Sequence, residues 1–371
     1  MATQVTNYIC PACGGPLHFD SETGKLKCDY CESVYDVEYV EQYYAQKDES
    51  ASEAKQEADS KEESEGTSYA SYFTDETTED GFKAKVYSCP SCGAQLICDE
   101  NTAATFCPYC GNNTIVPGNL DGALKPDYII PFKFDKEAAK AALKKHYNGK
   151  PLLPKAFSNE NQIDRIQGIY VPFWLYSGMI HADLSFKATR SISHREGQYL
   201  VTDTSHYSVR RSGNVGFEYI PADASVSMPD DYMDSLEPFD FSEMVPFSNA
   251  YLPGYLADKY SVSDLECDKR ALYRAQNTTE AAVGMDASTG YDTCVNDGKS
   301  FETLDRSVNY AFVPVWTLDT KYRGKDYLFV MNGQTGKMVG DLPISHGKFW
   351  GYFAAIAAGL SLLATAVMMF V

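Results

Sequence analysis

Eight of the eleven cysteines fall into four Cys-x-x-Cys pairs, and the pairs fall into two sets. The first set is Cys10, Cys13, Cys28 and Cys31; the second is Cys89, Cys92, Cys107 and Cys110. Both follow C-x2-C-x14-C-x2-C, a spacing of the zinc-ligand kind. Zinc takes four ligands in a tetrahedron, and thiolates at about 2.3 Å suit it. The two-residue spacer lets one tight turn deliver two sulfurs. Gly14, Gly93 and Gly111 follow their cysteines where a positive φ is expected, and Glu32 departs from that pattern. A redox Cys-x-x-Cys or a set of disulfides competes with this reading. The doubled spacing and the absence of a secretory signal in "MATQVTNYIC" favour metal. Four cysteines leave no position open for water or substrate, so two closed, structural Zn2+ sites are expected.

Such sites need short hairpins to hold them. "LHFDSETGKLKC" reads as strand, turn and strand, and "QLICDENTAATFC" reads the same way. Two zinc ribbons are therefore expected, over residues 1–45 and 84–116. Ribbons serve nucleic acid in some proteins and protein partners in others. The chain carries a net charge of −19, which two four-thiolate zinc sites would take to about −23. Neither ribbon is rich in Lys or Arg, whereas phosphate binding draws on a basic stripe. Nucleic acid is thus disfavoured as a partner. Between the ribbons, residues 46–81 hold twelve acids against three lysines. This composition predicts a disordered tether over 46–83, with a bait for a basic partner as the second reading.

The remainder, 117–345, reads as a β-rich α+β domain. "DYIIPFKF" has strand character. "DKEAAKAALKKHYNGK" reads as a helix capped by Asp135 and ended by Asn148-Gly149. Lys144, Lys145 and His146 occupy its last turn, where the helix dipole favours cations. They form a solvated face or touch anionic lipid head groups. Ile180, Ala182, Leu184, Phe186 and Ala188 alternate with polar residues, the period of a half-buried strand. Helical stretches are expected around 255–283, and "YRGKDY" and "NGQTGK" supply hairpin turns. "YVPFWLY" and "FVPVWTL" share Val-Pro-x-Trp, which predicts an internal repeat whose aromatic strands form core rather than a ligand groove. Cys98, Cys267 and Cys294 have no partner at metal spacing and read as buried or surface thiols.

Residues 349–371 contain no charged side chain and are long enough to cross a hydrocarbon core of about 30 Å. Trp350 and Tyr352 stand where interfacial aromatics belong, with Lys348 just outside. Ala355 and Gly359 have small-xxx-small spacing. A single-pass, tail-anchored protein is expected in the cell membrane, its bulk on the cytoplasmic side that Lys348 and reduced thiolates both favour. "VNDGKSF" and "NGQTGKM" imitate parts of a P-loop but lack its first glycine at the required distance. No His-Glu-x-x-His or Gly-x-Ser-x-Gly occurs, and the chain is expected not to be an enzyme.

Taken in order, the "CPxCG" ribbons, "IIPF", "GIYVPFWLY", "SLEPFDFSEMVPFSNAYLPGYLADKY", "VPVW", "NGQTGKMVGD" and the terminal span resemble a known family. These are the bacterial membrane-anchored double zinc-ribbon proteins, of transcription-factor-B-type ribbon and YdjG-like, often labelled primosomal-helicase-like. The likeness covers nearly all the chain outside the acidic stretch, although the missing P-loop speaks against a helicase. The resemblance implies zinc at the eight cysteines, a membrane location and no catalytic residues. By analogy it implies protein partners of the flotillin-like (SPFH-domain) or phage-shock type. The expected function is a membrane-anchored zinc-ribbon adaptor or scaffold, with membrane stress response as its setting; the alternative is a membrane-tethered nucleic-acid-binding regulator.

Overall fold

The computed structural model describes residues 8–46, the strand backbones 74–77, 83–88, 95–99, 102–106 and 113–115, and residues 125–154, 157 and 163–370. The chain mixes helix and sheet. At its start, β1 (Leu17–Asp20) and β2 (Lys25–Cys28) form an antiparallel hairpin with Leu17 opposite Cys28, and β3 (Val34–Tyr35) adds to β2. The Asp20 carboxylate closes the intervening turn by accepting from Glu22 N and Thr23 Oγ1. Leu17, Phe19, Leu26 and Cys28 face inward, as a period of two requires. A helix over 37–46, α1, covers them with Val37, Val40 and Tyr44.

β4 (Thr74–Thr77), β5 (Lys83–Ser88) and β6 (Gln95–Asp99) make a three-stranded antiparallel sheet. The acidic stretch expected to be a disordered tether over 46–83 thus carries a strand near its end, in register from Thr74↔Val86 to Thr77↔Lys83. β7 (Thr102–Phe106) pairs with β8 (Asn113–Ile115) and adds to the main sheet.

The main sheet is the platform. β9 (Tyr128–Ile129) leads into α2 (Lys136–Tyr147), which Asp135 caps by accepting from Ala138 N at 2.6 Å. Two 30-residue strands form the spine: β10 (Gln167–Glu196) and, antiparallel to it, β14 (Thr293–Tyr322). The two Val-Pro-x-Trp segments lie side by side in this pair. Val171 faces Val313, so Pro172 meets Phe312 and Pro314 meets Tyr170. Proline removes a ladder donor, and here each proline carbonyl instead accepts from the chain beside it, Ala224 N on Pro172 and Gly333 N on Pro314. Each tryptophan also places its indole N–H on a carbonyl, Trp174 on Val262 and Trp316 on Phe134. Both aromatics therefore serve as core with their polar atom satisfied.

The platform is apolar on both faces. On one, Tyr170, Phe312 and Trp316 pack with Phe132, Tyr255, Phe329 and α2. On the other, Val171, Phe173, Val313 and Val315 pack under α3 (Asp230–Leu236), which contributes Met233 and Leu236. Beyond Tyr176 the spine leaves the platform as an arm, completed by β11 (Tyr199–Asp223), which pairs with β10 to the hairpin tip at Glu196↔Tyr199. Ile180, Ala182, Leu184, Phe186 and Ala188 are buried, as their alternation predicts.

Ala182, Leu184, Phe186 and Ala188 lie beneath α4 (Asp264–Ser288). The sequence-based expectation of helix from 255 is corrected at its start. After the two-residue β12 (Val245–Pro246), which pairs with β9, Leu256–Asp258 forms a strand, β13. This strand runs parallel to Ile169 and Tyr170 of β10. The helix begins only after Ser263, whose hydroxyl and the Glu266 carboxylate form a capping box. Its buried positions are Cys267, Ala271, Ala275, Thr279 and Ala287, small enough to let the helix lie close on the strands. Its 25 residues span about 37 Å, matching the strand from Tyr176 to Ala188 at about 3.3 Å per residue.

At the junction of arm and platform, Asp223 is buried beside Asp230 and Arg270. Burial first, and then Asp230, push its carboxyl up to about 7. Asp230 in turn pairs with Arg270 at 2.5 Å. β15 (Lys325–Asn332) returns antiparallel to β14, then β16 (Met338–Gly340) pairs with it across the "NGQTGK" turn. The Asn332 side chain organises that turn, accepting from Gln334 N and Thr335 N. The last element, α5 (His346–Phe370), includes 22 residues, His346–Val367, long and apolar enough to cross a membrane, none of them buried.

Candidate metal centre

Cys10-Pro-Ala-Cys13 and Cys28-Asp-Tyr-Cys31 build two equivalent turns. In the first, Gly14 N donates to Cys10 O at 2.9 Å and Cys10 N to Gly15 O at 2.7 Å. In the second, Glu32 N donates to Cys28 O at 3.1 Å and Cys28 N to Ser33 O at 2.9 Å. The turn geometry demands a positive φ after each second cysteine: Gly14 has +72° and Glu32 has +56°. Glu32 therefore adopts the conformation its position requires although it has a Cβ. The hairpin β1–β2 sets one turn against the other.

The four sulfurs consequently converge, all within 4.8 Å of one another. Cys10 Sγ lies 3.5 Å from Cys31 Sγ, and Cys13 Sγ lies 3.5 Å from Cys28 Sγ. A tetrahedral zinc with bonds of about 2.3 Å has sulfur–sulfur edges of about 3.8 Å, so the cluster fits the ion with only a slight expansion. Cys10 and Cys28 are buried, and Cys13 and Cys31 are exposed. Backbone and side chains around them steady the sulfurs. Tyr30 N donates to Cys28 Sγ at 3.4 Å, the Tyr35 hydroxyl sits 3.5 Å from Cys10 Sγ, and Ser33 Oγ is 3.2 Å from Cys31 Sγ. Outer partners of this kind orient metal ligands. The spacing of the cysteines identifies the ligands but not Tyr30, Ser33 or Tyr35.

The protonation of the set points the same way. The Ser33 hydroxyl and N–H draw the Cys31 thiol down to about 6. Burial opposes ionisation of Cys10, yet the Tyr35 hydroxyl and the Cys13 and Ala12 amides hold its thiol below the usual range. The Gly15 amide favours the Cys13 thiolate, but the neighbouring Cys31 and Cys28 sulfurs push Cys13 up to about 12. Thiolates this close repel one another. A cation in their midst removes that conflict and lets all four ionise. Zinc would be held by Cys10, Cys13, Cys28 and Cys31, and with four protein ligands it would be structural.

The site is docked on the platform. Phe19 N donates to Pro253 O at 3.0 Å, and the Phe19 ring meets Tyr251 edge-on at 5.1 Å. The buried side chains of β1 and β2 run on into those of the platform as one core. Of the other cysteines, Cys89, Cys92, Cys107 and Cys110 lie outside the described residues. Cys98 falls in β6. Cys267 is buried with its thiol on Asp223 O at 3.4 Å, and Cys294 is half-buried.

Comparison with known proteins follows this division. A family described as Trm112p-like protein matches residues 9–38, which is the four-cysteine unit and little else. Over the whole length, the chain is 34% identical across 367 residues to the uncharacterized protein YdjG of Bacillus subtilis (strain 168), covering 98% of each, and it belongs to the family of that protein. No solved structure matches.

Proposed function

We propose that this chain is a membrane-anchored adaptor. In this reading α5 fixes the platform to the bilayer as a single span, with the platform and ribbons on the cytoplasmic side. The ribbons bind protein partners there, in a membrane stress response. The observation that carries the reading is a closed four-cysteine unit docked on a platform whose last helix includes a 22-residue stretch, His346–Val367, long and apolar enough to cross a membrane and with none of it buried. A closed site supports shape and not chemistry on a substrate, and an unburied apolar helix of this length suits lipid. Cys89, Cys92, Cys107 and Cys110 would form a second four-cysteine zinc site of the same kind. The mutual pairing of the two Val-Pro-x-Trp strands supports a platform built from two copies of one unit. Flotillin-like or phage-shock-type proteins are the partner class.

The test is a crosslinked pull-down from membranes under nuclease treatment, comparing the intact chain with Cys10→Ser/Cys13→Ser/Cys89→Ser/Cys92→Ser. Protein partners lost only in the variant support the adaptor. Recovery of nucleic acid would replace it with a tethered regulator. In parallel, removal of residues 346–371 should move the protein to the soluble fraction; sedimentation with membranes after that deletion would refute the anchor.

A further inference from the structure

The face of the platform around the root of α5 is basic, in a chain with 51 acids and 32 Lys plus Arg. Three segments meet there. Ser345 N donates to Leu152 O at 2.8 Å, and Lys348 Nζ to Leu153 O at 2.7 Å, which ties α5 to the loop after α2. Phe157, at the end of that loop, packs edge-on against Tyr322 and Tyr327, each at 5.5 Å, which brings in the β14–β15 hairpin. Residues 144–150 and 321–325 together carry Lys144, Lys145, Lys150, Lys321, Arg323 and Lys325, all exposed, and no acid. Asp326, which lies 3.6 Å from Lys321, and Asp319 flank the hairpin. The aromatic side chains of Phe349, Trp350, Tyr352 and Phe353 are exposed on the first turns of α5. Such rings settle at the membrane interface; with α5 set at that depth, the two basic segments would lie at headgroup level.

We propose that this face docks on the anionic headgroups of the leaflet that α5 enters. The proposal rests on the anchor reading above. Charge decides the occupant: a surface cluster of six exposed cations, Asp326 standing beside Lys321, suits a sheet of negative headgroups. Each cation near such a surface strengthens contact roughly fivefold.

The experiment reconstitutes the full chain in vesicles of phosphatidylcholine alone or with phosphatidylglycerol, checks flotation, and measures acylation rates at Lys145 and Lys150. Acylation is expected to slow at least roughly fivefold in the anionic vesicles and to recover at high salt, where charge interactions are screened. Arg323→Gln/Lys325→Gln, on the other element, should lower the contact equilibrium by roughly twenty-fivefold and remove most of that protection. Equal rates in both vesicles, with flotation intact, would overturn the docking face and leave the anchor standing. Equal slowing by inorganic phosphate over neutral vesicles would overturn the assignment to lipid. Failure to float with either vesicle would overturn the anchor and this face together.

Discussion

Replacing Gly333 by Ala probes the packing of the platform directly. A Cβ at Gly333 would lie 2.6 Å and 2.7 Å from Phe132 Cδ1 and Cε1, and 2.9 Å from Pro314 Cβ. The Phe132 ring cannot retreat: it is 1% exposed, stacks on Tyr255 at 4.0 Å, and meets Tyr170 and Trp316 edge-on at 5.0 and 5.2 Å. Gly333 is equally fixed. Its N–H donates to Pro314 O at 2.8 Å, and its carbonyl accepts from Lys133 N and Phe134 N at 3.0 and 3.1 Å. Overpacking of such a site costs about 1–3 kcal/mol. Stiffening of the unfolded chain returns about 0.4–1 kcal/mol. A net loss of about 1.3 kcal/mol is expected, or a fall of roughly 0.4–0.7 M in the urea midpoint for a slope of about 2–3 kcal/mol/M. The assay is urea unfolding in detergent followed by tryptophan fluorescence, with Trp316 as the adjacent reporter. Gly213→Ala is the control, since a Cβ there has nothing within 4 Å. If the two variants unfold within about 0.5 kcal/mol of each other, the packed aromatic stack is wrong.

Two further outcomes are expected. Cys28→Ser should lower the zinc content of the purified chain by one equivalent and undo the order of residues 9–38, read by metal analysis and by exchange of the Phe19 amide; unchanged zinc would reject the site. For Asp223, protonated in the fold up to about 7 and ionised in the unfolded chain above about 3.9, the fold binds the extra proton. Its contribution is therefore complete below about pH 4 and is lost as pH rises through about 7, with a slope of at most about 1.4 kcal/mol per unit. Asp223→Asn should flatten this part of the pH profile of thermal unfolding, and an unchanged profile would assign the proton elsewhere.

The convergence of Cys10, Cys13, Cys28 and Cys31 could be read from the sequence because two-residue spacers and hairpin periodicity are local signals. The same holds for α2, whose caps lie within a few residues of its ends, and for the alternating strand from Ile180 to Ala188. What the sequence hid was set by distant partners. Tyr255 and Leu256 look helical until Phe132 stacks on the ring and β10 takes the backbone. The turn "NGQTGK" was readable as a turn, but the need for Gly333 comes from Phe132, far earlier in the chain. Asp223 owes its raised carboxyl to burial at the foot of α4 and to Asp230, neither of which a local pattern announces.

The spine strands pass from the platform into the arm without interruption, and the hydrogen-bond register of β10 shifts against both neighbours at the same place, next to Gly178. From there to Glu196 the strand runs for about 60 Å at about 3.3 Å per residue. The arm is in effect a boom with its elbow at Gly178, where both ladders shift, and a second shift against β14 alone at Ser185/Phe186. Whatever engages its tip, where Ile192, Tyr199 and Leu200 stand exposed, is held away from the platform by the length of the arm. A Cβ at position 178 would press on the Asp305 carbonyl, so the aim of the boom depends on one hydrogen atom in place of a methyl group.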